Sequence, residues 1–510
     1  MGLNIMSSKF PVILLLTLLI GILLTSCGES TGGAVQTEIQ LETDVVTEEV
    51  ITETEKPKIP EPELPDIQYD GEDFVFLIRS RAANSYREFH IYTEQMDGEV
   101  VNDAVYDRNM LVEEKFNVKI SVLEQTDEYN TATKLILAGD DSFDAMYNTR
   151  ASLGKLAADG YLVDLKKLNH INLQAEYWDA NAYEQLQVAG KLYAMPSDIS
   201  MSNLSGARLI FFNKTILDNH NLPDPYEHVY TDTWTIDALM DMIKVVSSDL
   251  NGDGIMDKED LFGMLTEKGA SNSNVLYLTV SSGIRYTQST ESGIEVSFMN
   301  DKTQSVIDKI RDVLNDPMLC IDYETVAKGA DISGYNHLYH WARSSLFTSD
   351  HFLFLQSGVA ETSSFTDMES DYGIAPNPKF DENQENYYHK LDIYDTILSV
   401  PVTNAELEKT SIILEYMAYQ SNQLVVPAYF ETTVKTKRFR DENAANMLEI
   451  VKASLYYDIT DVFNNMIGSS PAAVIYNGFV SGNLASEYAK YETALQTKLN
   501  DIYDMIKIHP

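Results

Sequence analysis

The sequence predicts an α/β fold built around a parallel sheet that is covered by helices. First, Phe74 to Ile78 is a continuous apolar run, which is typical of a strand buried on both faces of a sheet. Second, strand and helix patterns alternate over a stretch of roughly 75 residues, which favours parallel strands joined by helical crossovers. Third, the chain has 510 residues, of which 44% are hydrophobic. That is enough for two or three domains or for two large lobes.

Apolar spacing and capping residues define the elements of this first α/β unit. A helix is predicted from Asp103 to about Lys115, with Asn102 as its N-cap and with Val105 and Val112 on its buried side. The predicted elements that follow are a strand at 118–122, a helix at 128–138 that ends at Gly139, and a strand at 143–147.

The same patterns predict elements across the rest of the chain. They are a strand at 209–212 and helices at 235–248, 301–314 (capped by Asn300), 406–419, 443–455 and 484–506. Ligands of open α/β sheets bind beyond the carboxyl ends of the strands. We therefore expect a binding site in the loops that start near Arg79, Glu124 and Asn148.

The N-terminus has the pattern of a secretory signal. Lys9 precedes an apolar run from Phe10 to Leu24 that is shorter than the about 20 residues of a transmembrane helix. The next residues complete Leu24-Thr25-Ser26-Cys27, which resembles the bacterial lipobox. The resemblance implies that residues 1–26 are a lipoprotein signal peptide and that Cys27 is lipidated. The alternative is a plain signal peptide in which Cys27 has no such role.

Residues 27–69 are predicted to be a disordered tether between the lipid and the folded part. They are rich in Thr, Glu and Pro and poor in aromatic residues, so they cannot bury enough apolar area to offset the entropy of ordering. The formal net charge of the chain is −41, which argues against nucleic-acid binding and against a basic membrane-binding patch. Membrane attachment is therefore expected through the lipid alone.

The sequence carries one motif for a metal. In the loop from Asp249 to Asp260, oxygen ligands stand at the positions that an EF-type calcium loop uses, with Gly254 at the sharp turn. The last position is Asp260 instead of the usual Glu. The predicted ligands of a structural calcium ion are Asp249, Asn251, Asp253, the carbonyl of Ile255, Asp257 and Asp260. The alternative is an acidic turn that holds no metal.

Motifs for catalysis are absent from the sequence. It contains no GxSxG elbow, HExxH, Walker loop or GxGxxG. Cysteine sites are equally limited, because Cys27 and Cys320 are the two cysteines of the chain. A glycosidase-type pair of carboxylates stays open, since such a pair is defined by its separation in space.

Several stretches together resemble the extracellular solute-binding lipoproteins of bacterial ABC importers, in the carbohydrate-type, family 1-like group. The stretches are the lipobox with its tether, 104–109, 116–118, 138–141, 143–144, 190–196, 212–214, Trp234 before a helix and the calcium loop, 372–376, 400–401 and 414–448. The resemblance implies a two-lobed, type II periplasmic-binding-protein-like fold with the ligand cleft between the lobes. It places lobe 1 at 70–195 and 393–438 and lobe 2 at 196–392 and 439–510, with crossings near Met195, Asp392 and Arg438.

The resemblance also implies the function. We expect a monomer, lipid-anchored on the extracellular face of the cell membrane, that captures a sugar or oligosaccharide and delivers it to importer permease subunits without catalysis. Aromatic rings cover the apolar faces of a sugar while charged and amide groups bind its hydroxyls. The candidate ligand-binding residues are Arg81, Asn148, Trp178, Asp198, Trp341, Arg343 and Tyr394. The alternative for the tryptophans is a place in the core.

Two other functions remain open from the sequence. One is a surface carbohydrate-active enzyme stabilised by the calcium loop, and the other is a lipid-anchored ligand sensor. The ligand itself, whether a sugar, a peptide or a polyol, cannot be derived from sequence spacing, because cleft residues come from distant positions.

Overall fold

A computed structural model of the chain describes residues 59–80, 90–270, 273–335, 338–434, 442–468 and 470–509. The signal peptide, Cys27, most of the tether and Arg81 lie outside the described residues. The predictions that concern them stay predictions.

The first α/β unit has the predicted elements in the predicted order. They are β1 (Glu72–Arg79), α1 (Val100–Phe116), β2 (Val118–Gln125), α2 (Glu128–Ala138), β3 (Ala145–Thr149) and α3 (Arg150–Ala158). Gly139 ends α2 in the left-handed conformation, with φ +70°, as the sequence predicts. The predicted cap of α1 is wrong, because the helix begins three residues earlier with Glu99 as its N-cap. Asn102 instead donates to the carbonyl of Gln95 and accepts from the Thr93 hydroxyl.

The middle of the chain builds a second α/β unit. Its elements are α4 (Ala180–Gln185), α5 (Ser202–Gly206), β4 (Arg208–Asn213), α6 (Lys214–Asn219), α7 (Pro225–Tyr230), α8 (Ile236–Val246), β5 (Phe262–Thr266), α9 (Asn274–Ser281), β6 (Thr287–Thr290), β7 (Gly293–Val296), α10 (Asp301–Leu314), β8 (Cys320–Asp322), α11 (Tyr323–Val326), α12 (Leu338–Trp341), β9 (Phe352–Gly358) and β10 (Tyr372–Ala375). Asn300 caps α10 by accepting from the backbone N–H of Thr303, as predicted.

The remainder of the chain is mainly helical. Its elements are β11 (His389–Lys390), β12 (Thr396–Ser399), α13 (Leu407–Val434), α14 (Glu442–Ala453), β13 (Leu455–Tyr456), α15 (Ile459–Val462), α16 (Asn464–Ile467), α17 (Pro471–Ser481), α18 (Leu484–Ala489) and α19 (Glu492–Ile508). Short 3₁₀ helices span Leu165–Lys167, Phe347–Ser349 and Val359–Phe365, and a π-helical turn spans Ala342–Leu346. Within the ranges described above, no helix combines the length and the apolar character needed to cross a membrane.

Two separate sheets form the centres of the two lobes. The first has the order β12-β3-β1-β2, in which β12 is antiparallel to β3 and the other pairs are parallel. The second has the order β10-β4-β9-β5-β8, in which β4 is antiparallel to both of its neighbours. The inner strands carry continuous buried side chains, as in β3 of the first sheet and β4, β5 and β9 of the second, whereas the edge strand β2 is largely half-buried.

Two antiparallel segments connect the sheets. The backbone N–H of Met195 donates to the carbonyl of Leu398 over 3.0 Å, and Ala207 forms a β-bridge with Leu391. The first segment leads into β4 of the second sheet, and the other leads back into β12 of the first. The sequence prediction of a two-lobed α/β fold is thus confirmed.

Residues 59–69, which the sequence assigns to the tether, lie against α1. The backbone N–H of Tyr69 donates to the carbonyl of Phe116 over 2.9 Å, and Gln68 Nε2 donates to the carbonyl of Lys115 over 2.8 Å. Lys115 Nζ lies 2.5 Å from Glu61. These contacts fix the end of the segment to the first lobe.

Candidate functional site

A cavity of about 330 Å³ opens at the carboxyl ends of the strands of the first sheet. This is the edge at which the sequence pattern predicts a binding site. Its walls come from the ends of β1, β2 and β3, from the second connecting segment and from α16. The lining residues are Arg79, Thr126, Asp127, Glu128, Tyr129, Thr149, Ala151, Ser152, Ile393, Tyr394, Asn464 and Asn465.

Arg79 and Glu128 form a widely spaced charged pair in this wall. The Arg79 Nε atom lies 4.0 Å from Glu128 Oε2, which is longer than a hydrogen bond. Nε is buried, and no acceptor among the described residues lies within hydrogen-bond distance of it. Burial raises the pKa of the Glu128 carboxyl, and the positive charge of Arg79 opposes that shift. The pair therefore presents an unused donor beside a buried acceptor.

The neighbouring wall groups are held by local hydrogen bonds. Asp127 caps α2 by accepting from the backbone N–H of Asn130 over 3.1 Å. The Asn130 side chain also donates to this carboxylate, which lowers the pKa of Asp127. Thr149 Oγ1 donates to Ser152 Oγ over 3.0 Å at the start of α3. These bonds fix the loop ends, so the wall is preformed.

The rest of the wall comes from distant parts of the chain. Tyr394 is 50% exposed, and its backbone N–H donates to Asp392 Oδ1 over 3.0 Å. Asn464 and Asn465 begin α16, which packs against α3. The cavity therefore combines an aromatic face, a charged pair and amide side chains.

The carboxyl edge of the second sheet carries a buried ionic cluster. Arg343 lies 3.3 Å from Glu267 and 3.2 Å from Glu361. Ser357, at the end of β9, donates to Glu361 over 3.1 Å. Since buried charges need partners, this cluster satisfies its own members and holds the strand ends together.

The carboxyl edges of the two sheets meet at Asp392. Arg150, directly after β3, donates to its backbone carbonyl, and Arg208, at the start of β4, lies 2.9 Å from its carboxylate. Both arginines are buried. The next residues of the same segment, Ile393 and Tyr394, line the cavity. The cavity therefore adjoins the place where the two lobes join.

The predicted ligand-binding residues are not gathered at one point. Tyr394 lines the cavity, and Arg343 belongs to the ionic cluster of the second sheet. Asn148 is buried in β3, one residue before the cavity wall, and neither polar atom of its side-chain amide has a hydrogen-bond partner among the described residues.

The other candidates lie in the interior. Trp178 is buried and donates from Nε1 to Glu415 over 2.9 Å. Asp198 is buried, lies 2.8 Å from Lys452 and accepts from Asn422 over 2.7 Å. Trp341 is buried in the second lobe. None of these three is in the wall of the cavity described above.

Sequence reasoning missed most of the wall. Arg79 and Glu128 had a usable signal, because each is the first charged side chain at the edge where a predicted strand or helix meets a loop. Asn464 and Asn465 had none, since nothing local in the sequence connects α16 with the end of β3. Tertiary packing alone brings them to the cavity.

In the calcium loop, side chains with oxygen atoms that could bind a metal stand at suitable positions along the chain. Asp249 accepts from the backbone N–H groups of Gly252 and Gly254 over 2.7 and 2.9 Å. Both glycines have positive φ, which the turn requires. Asp260 accepts from the N–H groups of Leu250 and Asp257 over 2.9 and 2.8 Å.

These carboxylates point to backbone amides. Over the described part of the chain, no group of three or more His, Cys, Asp or Glu side chains is gathered closely enough to hold a metal. The donor types suit calcium, and the side chains would have to turn together to bind it. Calcium stays a prediction.

Comparisons with known proteins find the same fold. No family model matches the sequence, and no curated protein matches it either. Among solved structures, the sugar-binding protein MalE from Xanthomonas citri is 12% identical with a TM-score of 0.54, over 85% of this chain and 97% of that one. A sugar transporter protein from Rhizobium etli in an open conformation is 14% identical with a TM-score of 0.54, over 86% of this chain and 100% of that one.

A third solved structure is similar to the same extent. It is a family 1 extracellular solute-binding protein from Bifidobacterium longum subsp. infantis, 14% identical with a TM-score of 0.51, over 84% of this chain and 99% of that one. At such identities the likeness concerns the fold. The chain therefore has the two-lobed α/β fold of the extracellular solute-binding proteins of ABC importers.

Proposed function

We propose that the protein captures a small solute, a sugar or oligosaccharide, and delivers it to the permease subunits of an ABC importer. The observation that carries this proposal is the cavity at the carboxyl edge of the first sheet, beside the segment where both sheets meet. Hinge motion between lobes about such segments closes a cleft on its ligand. The solved structures with this fold are described as sugar-binding or solute-binding proteins, which supports the same role.

The chemistry of the cavity suits a sugar. Tyr394 is half-exposed in the wall, and the apolar face of an aromatic ring suits the CH face of a sugar. Arg79, Glu128 and the amides of Asn464 and Asn465 offer both donors and acceptors to the hydroxyls. Asp127, the other carboxylate of the wall, is engaged at the start of α2. We therefore propose that the protein captures the sugar without converting it chemically. It is proposed to act as a monomer.

The function is tested with the mature chain, in which Cys27 is replaced by serine to keep it in solution. Its melting temperature is recorded with a panel of sugars and oligosaccharides. A ligand at 100 times its dissociation constant stabilises the native state by about 2.7 kcal/mol. Stabilisation by one glycan class without product formation is the expected result. Product formation would point to the enzyme alternative, and no stabilisation by any carbohydrate would contradict the sugar assignment.

We also propose that Cys27 anchors the chain to the extracellular face of the cell membrane. The lipobox-like sequence before it supports this, and so does the net charge of −41, which disfavours electrostatic attachment to an anionic membrane. The Cys27→Ser variant is expected in the medium instead of the membrane fraction. Equal membrane association of both chains would contradict the anchor.

A structural calcium ion in the loop from Asp249 to Asp260 is proposed as well. Oxygen side chains at the EF-type positions support it. Calcium should raise the melting temperature more than magnesium at equal ionic strength, and Asp253→Asn should reduce the difference. An equal effect of the two ions would contradict calcium binding.

A further inference from the structure

We infer that the cavity selects a small neutral sugar of one or two rings, one hydroxyl of which bridges Arg79 and Glu128. This inference rests on the proposed function and narrows its ligand. Three properties of the cavity carry it, namely its volume, its charge and the spacing of the pair formed by Arg79 and Glu128.

The volume limits the ligand to a small one. At about 330 Å³, the cavity lies at the lower end of the roughly 300–1,000 Å³ that ligand sites occupy. One or two sugar rings fill such a space. A longer oligosaccharide would leave most of its rings outside it.

The charge of the wall disfavours an acidic ligand. The charged lining residues are Arg79, Asp127 and Glu128, so the wall carries one net negative charge. The whole chain, the wall included, has a formal charge of −41. A carboxylated or phosphorylated sugar would enter a repulsive field, because fields are focused in clefts with low-dielectric walls. A neutral sugar avoids that cost.

The spacing of the pair requires a group that both accepts and donates. Arg79 Nε is a buried donor that lacks an acceptor among the described residues, and the nearest Glu128 oxygen is 4.0 Å away. A hydroxyl has both functions, so one placed beside the pair accepts from Nε and donates to the carboxylate. Hydrogen bonds to charged groups are the stronger ones, so this hydroxyl fixes the orientation of the ring.

An aromatic side chain completes the arrangement. Tyr394, which is 50% exposed, lines the same cavity as the pair. A ring whose hydroxyl is bound by the pair then has an apolar surface available for Tyr394. The site thus binds a hydroxyl of one sugar ring through Arg79 and Glu128 and the apolar face of the same ring through Tyr394.

The test uses the mature chain carrying Cys27→Ser and measures dissociation constants by calorimetry. The ligands are neutral monosaccharides, neutral disaccharides, linear tetrasaccharides and hexuronic acids. We expect the tightest binding from a neutral mono- or disaccharide. Glu128→Gln removes the charged acceptor. It should raise the dissociation constant of that ligand by 10-fold or more, because hydrogen bonds to charged groups contribute about 1.5–3 kcal/mol.

The matched control is Glu124→Gln. Glu124 is exposed near the carboxyl end of β2 and outside the cavity wall, so this change removes the same charge from the same edge of the sheet. If Glu128→Gln fails to fold, as judged by its melting curve without ligand, Arg79→Lys serves instead. It keeps the positive charge and loses the Nε donor, and the same loss of affinity is expected.

The outcomes separate this inference from the proposed function. Tightest binding of a tetrasaccharide or of a hexuronic acid overturns the inference and leaves the sugar-binding function in place. Equal affinities of the Glu128 and Glu124 variants also overturn it. Absence of binding to every carbohydrate removes the proposed function, and the inference with it.

Discussion

Glu415 of α13 illustrates what a buried carboxylate requires. It accepts from the Tyr177 hydroxyl over 2.5 Å, from Trp178 Nε1 over 2.9 Å and from the backbone N–H of Asn172 over 3.1 Å. These bonds tie the segment before α4 to α13. Burial raises the pKa of this carboxyl, and the hydrogen bonds from Tyr177 and Trp178 oppose the shift. Trp178, a predicted ligand residue, therefore has a structural partner.

Trp178→Phe should destabilise the fold. It removes one of the three hydrogen bonds to the buried Glu415 carboxylate, and a hydrogen bond to a charged group contributes about 1.5–3 kcal/mol. Urea unfolding would measure the loss as a lower midpoint. A variant of unchanged stability that no longer binds a sugar would instead assign Trp178 to the ligand.

His389 makes the stability depend on pH. Its imidazole is buried, accepts from the backbone N–H of Asn377 over 3.0 Å and lies 2.8 Å from the Ser454 hydroxyl. Burial lowers the pKa of His389 to about 3. The unfolded chain takes up this proton near pH 6.5. Stability is therefore lost as the pH falls from about 6.5 towards 3.

Replacing His389 by Gln should remove that dependence. The wild type should lose about 1.4 kcal/mol relative to the variant for each pH unit below about 6. Unfolding of both chains at pH 7 and pH 5 measures the difference. The comparison is needed because burial raises the pKa of Asp179 to about 6, so its contribution falls as the pH rises and has the opposite sign. Parallel pH curves of the two chains would contradict the assignment to His389.

At the residue scale, the sequence predicted the edge of the site better than its members. Tyr394 is predicted as a ligand residue because it lies beside a predicted crossing, and it lines the cavity; its contact with a ligand stays a prediction. Asn464 and Asn465 line the same cavity but are not predicted, because their place depends on how α16 packs against α3. The structural role of Trp178 could not be predicted from the sequence, because its hydrogen-bond partner Glu415 lies 237 residues away in the chain.

At the scale of elements, the end of α19 is attached to the first lobe. Lys191 Nζ donates to the backbone carbonyls of Ile506 over 3.1 Å and Lys507 over 3.3 Å, and also to that of His509. The His509 ring nitrogen Nε2 lies 2.8 Å from the carbonyl of Ala158. The middle of the helix packs against β7, where Gln496 donates to the carbonyl of Ile294. The last helix thus joins two parts of the molecule.

Gly160→Ala should loosen this attachment. Gly160 has φ +76°, and a Cβ there would meet the His509 ring at 2.6 Å. Gly190→Ala is the matched control, because Gly190 also has φ +76° but nothing lies within 4 Å of its Cβ position. Both changes cost about 1–2 kcal/mol for the left-handed backbone, and only Gly160→Ala adds the steric cost. Equal melting temperatures would show that the His509 contact contributes nothing.

Elements with strong local signals were predicted well, and the others were altered by tertiary contacts. α2 has both an N-cap and a terminal glycine, and its bounds agree with the prediction. β3 begins at Ala145 instead of Phe143, because Asp144 exchanges hydrogen bonds with the backbone of Val75. α13 continues to Val434 although it contains Pro427, since it packs along α1. The tail predicted as one helix is divided into α18 and α19.

At the scale of the whole molecule, the charge of −41 should make stability depend on salt. Repulsion between exposed carboxylates opposes the compact state, and salt screens it over about 10 Å at 0.1 M. The melting temperature should rise between 20 and ~300 mM sodium chloride, a range over which the screening length falls several-fold. A melting temperature that falls over this range would mean that attractive ion pairs, such as that of Arg343 with Glu267, outweigh the repulsion.

The two connecting segments have a consequence for the order in which the chain folds. The second sheet is made entirely of strands between Arg208 and Ala375, so it is complete while later residues are still to be added. The first sheet starts earlier but receives β12 only after that, and Arg150 meets its partner Asp392 across 242 residues of chain. Closing so long a loop is slow, because its entropy must be lost before the contacts form. The first sheet is therefore completed after the second, and a nascent chain shorter than about 400 residues exposes an unpaired edge of β3 on which other chains can add strands.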